Sequence, residues 1–274
     1  MATVLPPRPG RPSRHPVDVL RTQIWFRALK LASGLPSAYA IEAALEGRPG
    51  DGAGATVWRP RKWDGYERGR KVPEARPGRV DAVERAEAVF PGTARWFHSP
   101  LWRVLKREPM ESHQIEAALL SLQPEVVDLL FKDDPGSLQR KRLAAMTIQH
   151  LDRLAALSSF DALVAAVLLV QLSTAVGSAE LREWALTTYG ILQPEVADAP
   201  ETQLNYPELF TFVDRACPHW VQVSPSMRLN VHVFWHEVAR KSWGQDRMDY
   251  IEARLTQLGL IQFDNPAWQS LADL

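Results

Sequence analysis

Cationic and aromatic side chains alternate in the stretch Trp58-Arg59-Pro60-Arg61-Lys62-Trp63-Asp64-Gly65-Tyr66-Glu67-Arg68-Gly69-Arg70-Lys71-Val72-Pro73. That mixture suits an anionic polymer. Guanidinium and ammonium groups neutralise phosphates and release counterions, and indole and phenol rings stack on unpaired bases. Residues 57–79 place Arg59, Arg61, Lys62, Arg68, Arg70, Lys71, Arg76 and Arg79 against Asp64, Glu67 and Glu74, a net charge of +5. The candidate nucleic-acid contacts are Arg59, Arg61, Lys62, Trp63, Tyr66, Arg68, Arg70 and Lys71. The same residues have a structural reading: the aromatics are buried anchors of a small domain, and the cations are its solvated face or pair with acids elsewhere in the chain.

Other chemistry is sparse. His232 and His236 stand at i and i+4, a spacing that puts two imidazoles on one helical face, as in a shared zinc site. Glu237 follows the second histidine rather than the first, so the zincin order is absent, and His219 is the nearest third ligand; His232 and His236 remain a metal candidate by spacing alone. Cys217 stands alone, beside Pro218 and among Phe212, Val213 and Trp220, and reads as a buried small residue. The glycines at 50, 52 and 54 have neither a preceding strand nor a following Lys-Ser/Thr, so no phosphate loop is present. Neither a nucleophile elbow nor a two-carboxylate signature appears. The sequence names no catalytic residue and no cofactor.

Charge divides the chain. Residues 1–110 hold 20 Lys and Arg against 11 Asp and Glu, and residues 111–274 hold the other 12 against 21, so net charges of +9 and −9 cancel over the whole. An anionic partner for the first half explains this, and so does docking of the two halves on each other. The longest apolar run, Ala162 to Val176, falls short of the ~20 residues of a membrane span. Residues 1–16, with Arg8, Arg11 and Arg14 set between prolines, lack the apolar core of a signal peptide. With one cysteine in the chain, the reading is a cytoplasmic protein that makes no membrane contact.

The elements that must position these residues read as helices. Apolar spacing predicts one from Val17 to Leu31, and Ser37 caps a second that ends at Gly47. Arg48 to Thr56 reads as a loop, Arg79 to Phe90 as a helix, and Trp96, Phe97 and Trp102 as the closure of a small core. Beyond Pro109, proline start signals and Ala/Leu-rich segments predict helices over 112–122, 124–132, 136–157, 160–176, 178–189, 206–216, 225–242 and 246–258. Only Trp220-Val221-Gln222-Val223 alternates like a strand. The expected fold is all-α: a disordered arm over 1–18, a small basic helical module over 19–108, and a larger acidic helical bundle or array over 109–274.

The stretch from Ser33 to Phe90 resembles the Cro/repressor-type, XRE-like helix-turn-helix family. Leu35 to Gly47 is similar to its second helix, and Tyr66-Glu67-Arg68-Gly69-Arg70-Lys71-Val72-Pro73 is similar to the family's closing Tyr/Trp-Glu-x-Gly-x-x-x-Pro tract. The resemblance implies a recognition helix around Arg59 to Tyr66, with Arg59, Arg61 and Lys62 facing DNA. With the Ala/Arg/Pro bias, it implies a non-enzymatic bacterial DNA-binding regulator whose residues 109–274 self-associate, sense a ligand or engage a protein partner. Two alternatives stay open: an accessory protein whose basic module docks on an acidic protein surface, and an enzyme whose site is assembled from distant residues.

Overall fold

In the computed structural model the most apolar segment of the chain becomes the central helix of its second half. The structure describes residues 14–47, 61–74, 78, 80–133, 141–217, 220–224 and 227–230.

The first half begins with α1 (Pro16–Ser33), which has proline at its start, His15 Nδ1 accepting from the Val17 N–H, and Gly34 in the left-handed conformation at its end. Ser37 caps α2 (Ala38–Glu46) by accepting from the Ala40 N–H. Four shorter helices follow: α3 (Lys62–Glu67), α4 (Ala82–Val89), α5 (Ala94–His98) and α6 (Leu101–Leu105). In the second half come α7 (Ser112–Leu120) and α8 (Pro124–Leu130), a hairpin of β1 (Phe131–Asp133) and β2 (Lys141–Leu143), then α9 (Ile148–Ala156), α10 (Phe160–Val176), α11 (Ala179–Asp198) and α12 (Tyr206–Ala216). A second antiparallel hairpin pairs β3 (Trp220–Ser224) with β4 (Met227–Asn230). The fold is all-α, with these two short hairpins as its only sheets among the described residues.

Helix α10 is buried without a break from Asp161 to Val170. A helix that is apolar on every face belongs at the centre of a core. Gly177, left-handed, and Ser178, which caps α11, fold α11 straight back along it. Helices α6, α7, α8, α9 and β3 complete the surroundings of α10.

One hydrophobic cluster runs from Val17 to Cys217, so the expected division at 108/109 is not a gap in the packing. The aromatic residues carry it across. Phe97 meets Trp25 in the first half at 5.7 Å between ring centres, while the neighbouring Trp96 meets Phe160 of α10 at 4.6 Å. Trp102 donates its indole N–H to the Trp96 carbonyl, fixing the turn between α5 and α6. Trp96, Phe97 and Trp102, expected to close a small core, also bridge the halves.

The structure corrects three other expectations. The helix expected over 136–157 starts only at Ile148, capped by Thr147 and His150. Residues 141–143 pair instead with β1, and the Ala144 N–H satisfies the Leu130 carbonyl at the end of α8. The helix expected over 225–242 is replaced at 227–230 by β4, whose partner strand supplies hydrogen bonds that local pattern cannot reveal; the remainder of that segment, like the helix expected over 246–258, lies outside the described residues. Helix α11 runs through Gly190 and Pro194 rather than stopping near 189, because Leu192, Val196 and Ala197 continue the buried stripe begun by Leu181, Ala185 and Tyr189. Packing outweighs the local cost of proline there.

Candidate functional site

The basic stretch is built on an aromatic anchor. Trp63 is fully buried and Tyr66 nearly so, three residues apart on the inner face of α3. Their rings meet each other at 5.6 Å, and Trp25 of α1 at 6.3 and 5.9 Å. Edge and tilted contacts of this kind add to the burial of large apolar surface. Neither ring presents a face to solvent, so the expected stacking of Trp63 and Tyr66 on bases is corrected: both rings are spent on the core. Trp58 and Arg59 lie outside the described residues.

The glycine of the closing tract has a structural reason. After α3 the chain reverses at Gly69, whose φ of 65° favours glycine, and a Cβ there would stand 2.5 Å from Val19 Cγ1 on α1. The reversal lets the Lys71 N–H donate to the Gly65 carbonyl at 3.0 Å, and Pro73 beyond it is buried. The stem of Lys71 lies over Gly65, where a Cβ would come within 2.8 Å of it. The tract is thus pinned to α1 and α3 at both ends. Arg14 adds a bond from its guanidinium to the Arg70 carbonyl.

What the anchor leaves outside is charge. Arg61, Arg68, Arg70 and Lys71 are exposed. Arg61 adopts a left-handed φ of 46° at the start of α3, a conformation that costs a non-glycine residue about 1–3 kcal/mol. Lys62 differs: its ammonium is 2.7 Å from Glu46 at the end of α2, and Arg85 is 3.4 Å from the same carboxylate. Against the desolvation that pushes it up, Glu46 is held below the usual carboxylate range by Lys62 and Arg85. Lys30 is likewise occupied by Glu67 at 3.2 Å, and Lys106 by Asp18 at 2.8 Å. Arg61, Arg68 and Arg70 have no carboxylate partner among the described residues.

A second polar group, which the sequence reading missed, lies where α10, α11 and α12 meet. Arg182 is buried and donates through one guanidinium nitrogen to the Val170 carbonyl, Ser173 Oγ and Thr174 Oγ1 at 2.8–3.2 Å. Tyr189 donates to Asp214 Oδ1 at 3.0 Å, and Gln171 Nε2 donates to the Ala216 carbonyl and to Cys217 Sγ. Burial raises the Asp214 carboxyl to about 7 against the pull of the Tyr189 hydroxyl, and raises the Cys217 thiol to about 12 despite the nearby Arg182. Such a thiol is no nucleophile at neutral pH. These residues are spread over 47 positions, so no spacing motif joins them; the one signal available is that Arg182 falls on the apolar stripe of α11 with Leu181, Ala185 and Tyr189.

His232 and His236 lie outside the described residues, among which no three His, Cys, Asp or Glu side chains are grouped to hold a metal ion. No described helix is long and apolar enough to cross a membrane. The chain matches no protein-family model, no curated protein and no solved structure.

Proposed function

We propose that this protein binds nucleic acid without catalysing a reaction, with α2, α3 and the tract after α3 serving as a helix-turn-helix-like unit on the phosphate backbone of a duplex. One observation carries the reading: Arg61, Arg68 and Arg70 project from a segment fixed by Trp63, Tyr66 and Gly69, and no carboxylate among the described residues neutralises them. Cations carried on a fixed backbone meet phosphates without first losing much backbone freedom. Lys62 would have to leave Glu46 to contribute, so Arg61 is the better placed of the two for a base edge. The acidic second half would then serve self-association, ligand sensing or a protein partner.

Fluorescence anisotropy of the full chain with labelled duplex DNA, over a series of salt concentrations, tests this. Each phosphate contact contributes about −0.9 to the slope of log K against log salt. The triple variant Arg61→Gln, Arg68→Gln, Arg70→Gln should therefore bind more weakly and flatten the slope by roughly 2.7. No binding of the intact chain at low salt would end the nucleic-acid reading. The burial of Trp63 and Tyr66 favours one other reading, because charge without stacking also suits an acidic protein surface. Under it, the chain would bind polyglutamate in the same titration and leave DNA unbound.

A further inference from the structure

Two cations from different helices converge on one oxygen. Lys62, the first residue of α3, stands 2.7 Å from Glu46 Oε1, and Arg85 of α4 stands 3.4 Å from the same atom. Glu46 is the last residue of α2, the end of a helix at which the dipole disfavours negative charge. Against that field and its own desolvation it is held below the usual carboxylate range by Lys62, Trp63 and Arg85. Lys62 also lies over the Trp63 ring, 5.5 Å from its centre.

A carboxylate fits these donors incompletely. Both cations share Glu46 Oε1. The Trp63 indole N–H, on a side chain with no exposure, completes no hydrogen bond, although it is near enough to Glu46 to help hold its carboxyl down. A buried donor left in that state is costly. A phosphate group carries more acceptor oxygens than a carboxylate, so Lys62, Arg85 and the Trp63 N–H can each have one of their own. The cations are reachable from outside, with the side chains of Lys62 and Arg85 33% and 38% exposed and that of Glu46 24%.

We infer that Lys62, Arg85 and the Trp63 indole N–H form a binding site for a phosphate group, in which Glu46 is an internal occupant that the phosphate displaces. Exchange of one anion for another keeps both cations paired throughout. The exposed Arg61, next to Lys62 in the chain, extends the same cationic surface. That a duplex backbone supplies the phosphate rests on the nucleic-acid binding proposed for this protein; the site itself does not.

Two-dimensional proton–nitrogen NMR of the full chain, titrated with inorganic phosphate, tests the site through the Trp63 indole N–H, assigned with Trp63→Phe. Its resonance should move saturably, and in Glu46→Gln at roughly threefold lower phosphate. Lys62→Gln with Arg85→Gln should abolish the response. Glu84→Gln removes the same charge from an exposed position on α4 and should leave the phosphate dependence unchanged. No saturable shift up to tens of millimolar phosphate, in the native chain and in Glu46→Gln, would overturn the site. A gain from Glu84→Gln equal to that from Glu46→Gln would also overturn it, since net charge alone would then explain both. Anisotropy with duplex DNA identifies the source of the phosphate: the Lys62→Gln, Arg85→Gln pair should flatten the salt slope by roughly 1.8. An unchanged slope beside phosphate binding would overturn the duplex backbone as the source and leave a small free phosphate as the ligand. DNA binding with a silent Trp63 resonance would sink the site and spare the nucleic-acid reading, and phosphate binding without DNA binding would do the reverse.

Discussion

Two groups of charged residues in this molecule face opposite ways. Across α3 and the tract that follows it the aromatics are inside and the cations outside: Trp63 and Tyr66 complete the core around Trp25, and Arg61, Arg68 and Arg70 stand in solvent. At the junction of α10, α11 and α12 the charges are drawn inward, where Arg182 spends its donors on Val170, Ser173 and Thr174. The first arrangement costs little in desolvation and leaves charge for a partner. The second satisfies its groups internally and leaves little to offer one. A net charge of +5 in a stretch of sequence is therefore weaker evidence than the side on which its apolar neighbours are buried.

The sharpest way to break this contrast is to remove the anchor. Trp63→Ala deletes a fully buried indole in contact with Trp25 and Tyr66. It should cost about 3–5 kcal/mol of stability, read by urea unfolding. At a temperature where the variant still folds, its affinity for polyanions should fall as well, since the cations would lose their fixed presentation. Unchanged affinity in a destabilised variant would show that the cations act as an unstructured patch.

Gly69→Ala is a smaller and more local perturbation. The added methyl meets Val19 Cγ1 at 2.5 Å in a backbone conformation that alanine resists. A cost of about 1–3 kcal/mol follows, and thermal unfolding would measure it. The charge on the tract is untouched, so any change in its salt-dependent binding reports geometry alone. A neutral substitution would mean that the close approach to α1 relaxes freely.

Much of this architecture could be read from the residues. Helix α10 spans Phe160–Val176 because a largely apolar run, broken only by Asp161, Gln171, Ser173 and Thr174, lies between Ser159 and Gly177, both strong punctuators, and α12 spans Tyr206–Ala216 with Pro207 in its first turn. The strand at Trp220 shows in its alternation. What escaped depended on distant partners. Residues 141–143 become a strand through pairing with 131–133, and α11 passes Pro194 because α10 offers it a long apolar surface. The candidate cations were visible, since charge is a property of composition. Whether Trp63 and Tyr66 faced a base or the core was not visible, because burial of an aromatic beside a cation depends on Trp25 and Phe97, 38 and 34 residues away from Trp63.

The smallest effect belongs to the inward-facing group and depends on pH. Burial raises the Asp214 carboxyl from an ordinary 3.8 to about 7 in the folded chain. Between those values the folded state binds more protons than the unfolded one, so stability falls as pH rises through this window and levels off above about pH 7. Asp214→Asn keeps an oxygen to accept from the Tyr189 hydroxyl and removes the titration. The variant should match the native chain near pH 4 and exceed it by about 1–2 kcal/mol at pH 8, a figure kept well below the full shift because Asp214 is only half-buried. Parallel urea titrations at the two pH values would show this. If both proteins lose stability equally across the window, Asp214 ionises without cost, and the contrast between inward and outward charge would then rest on Arg182 alone.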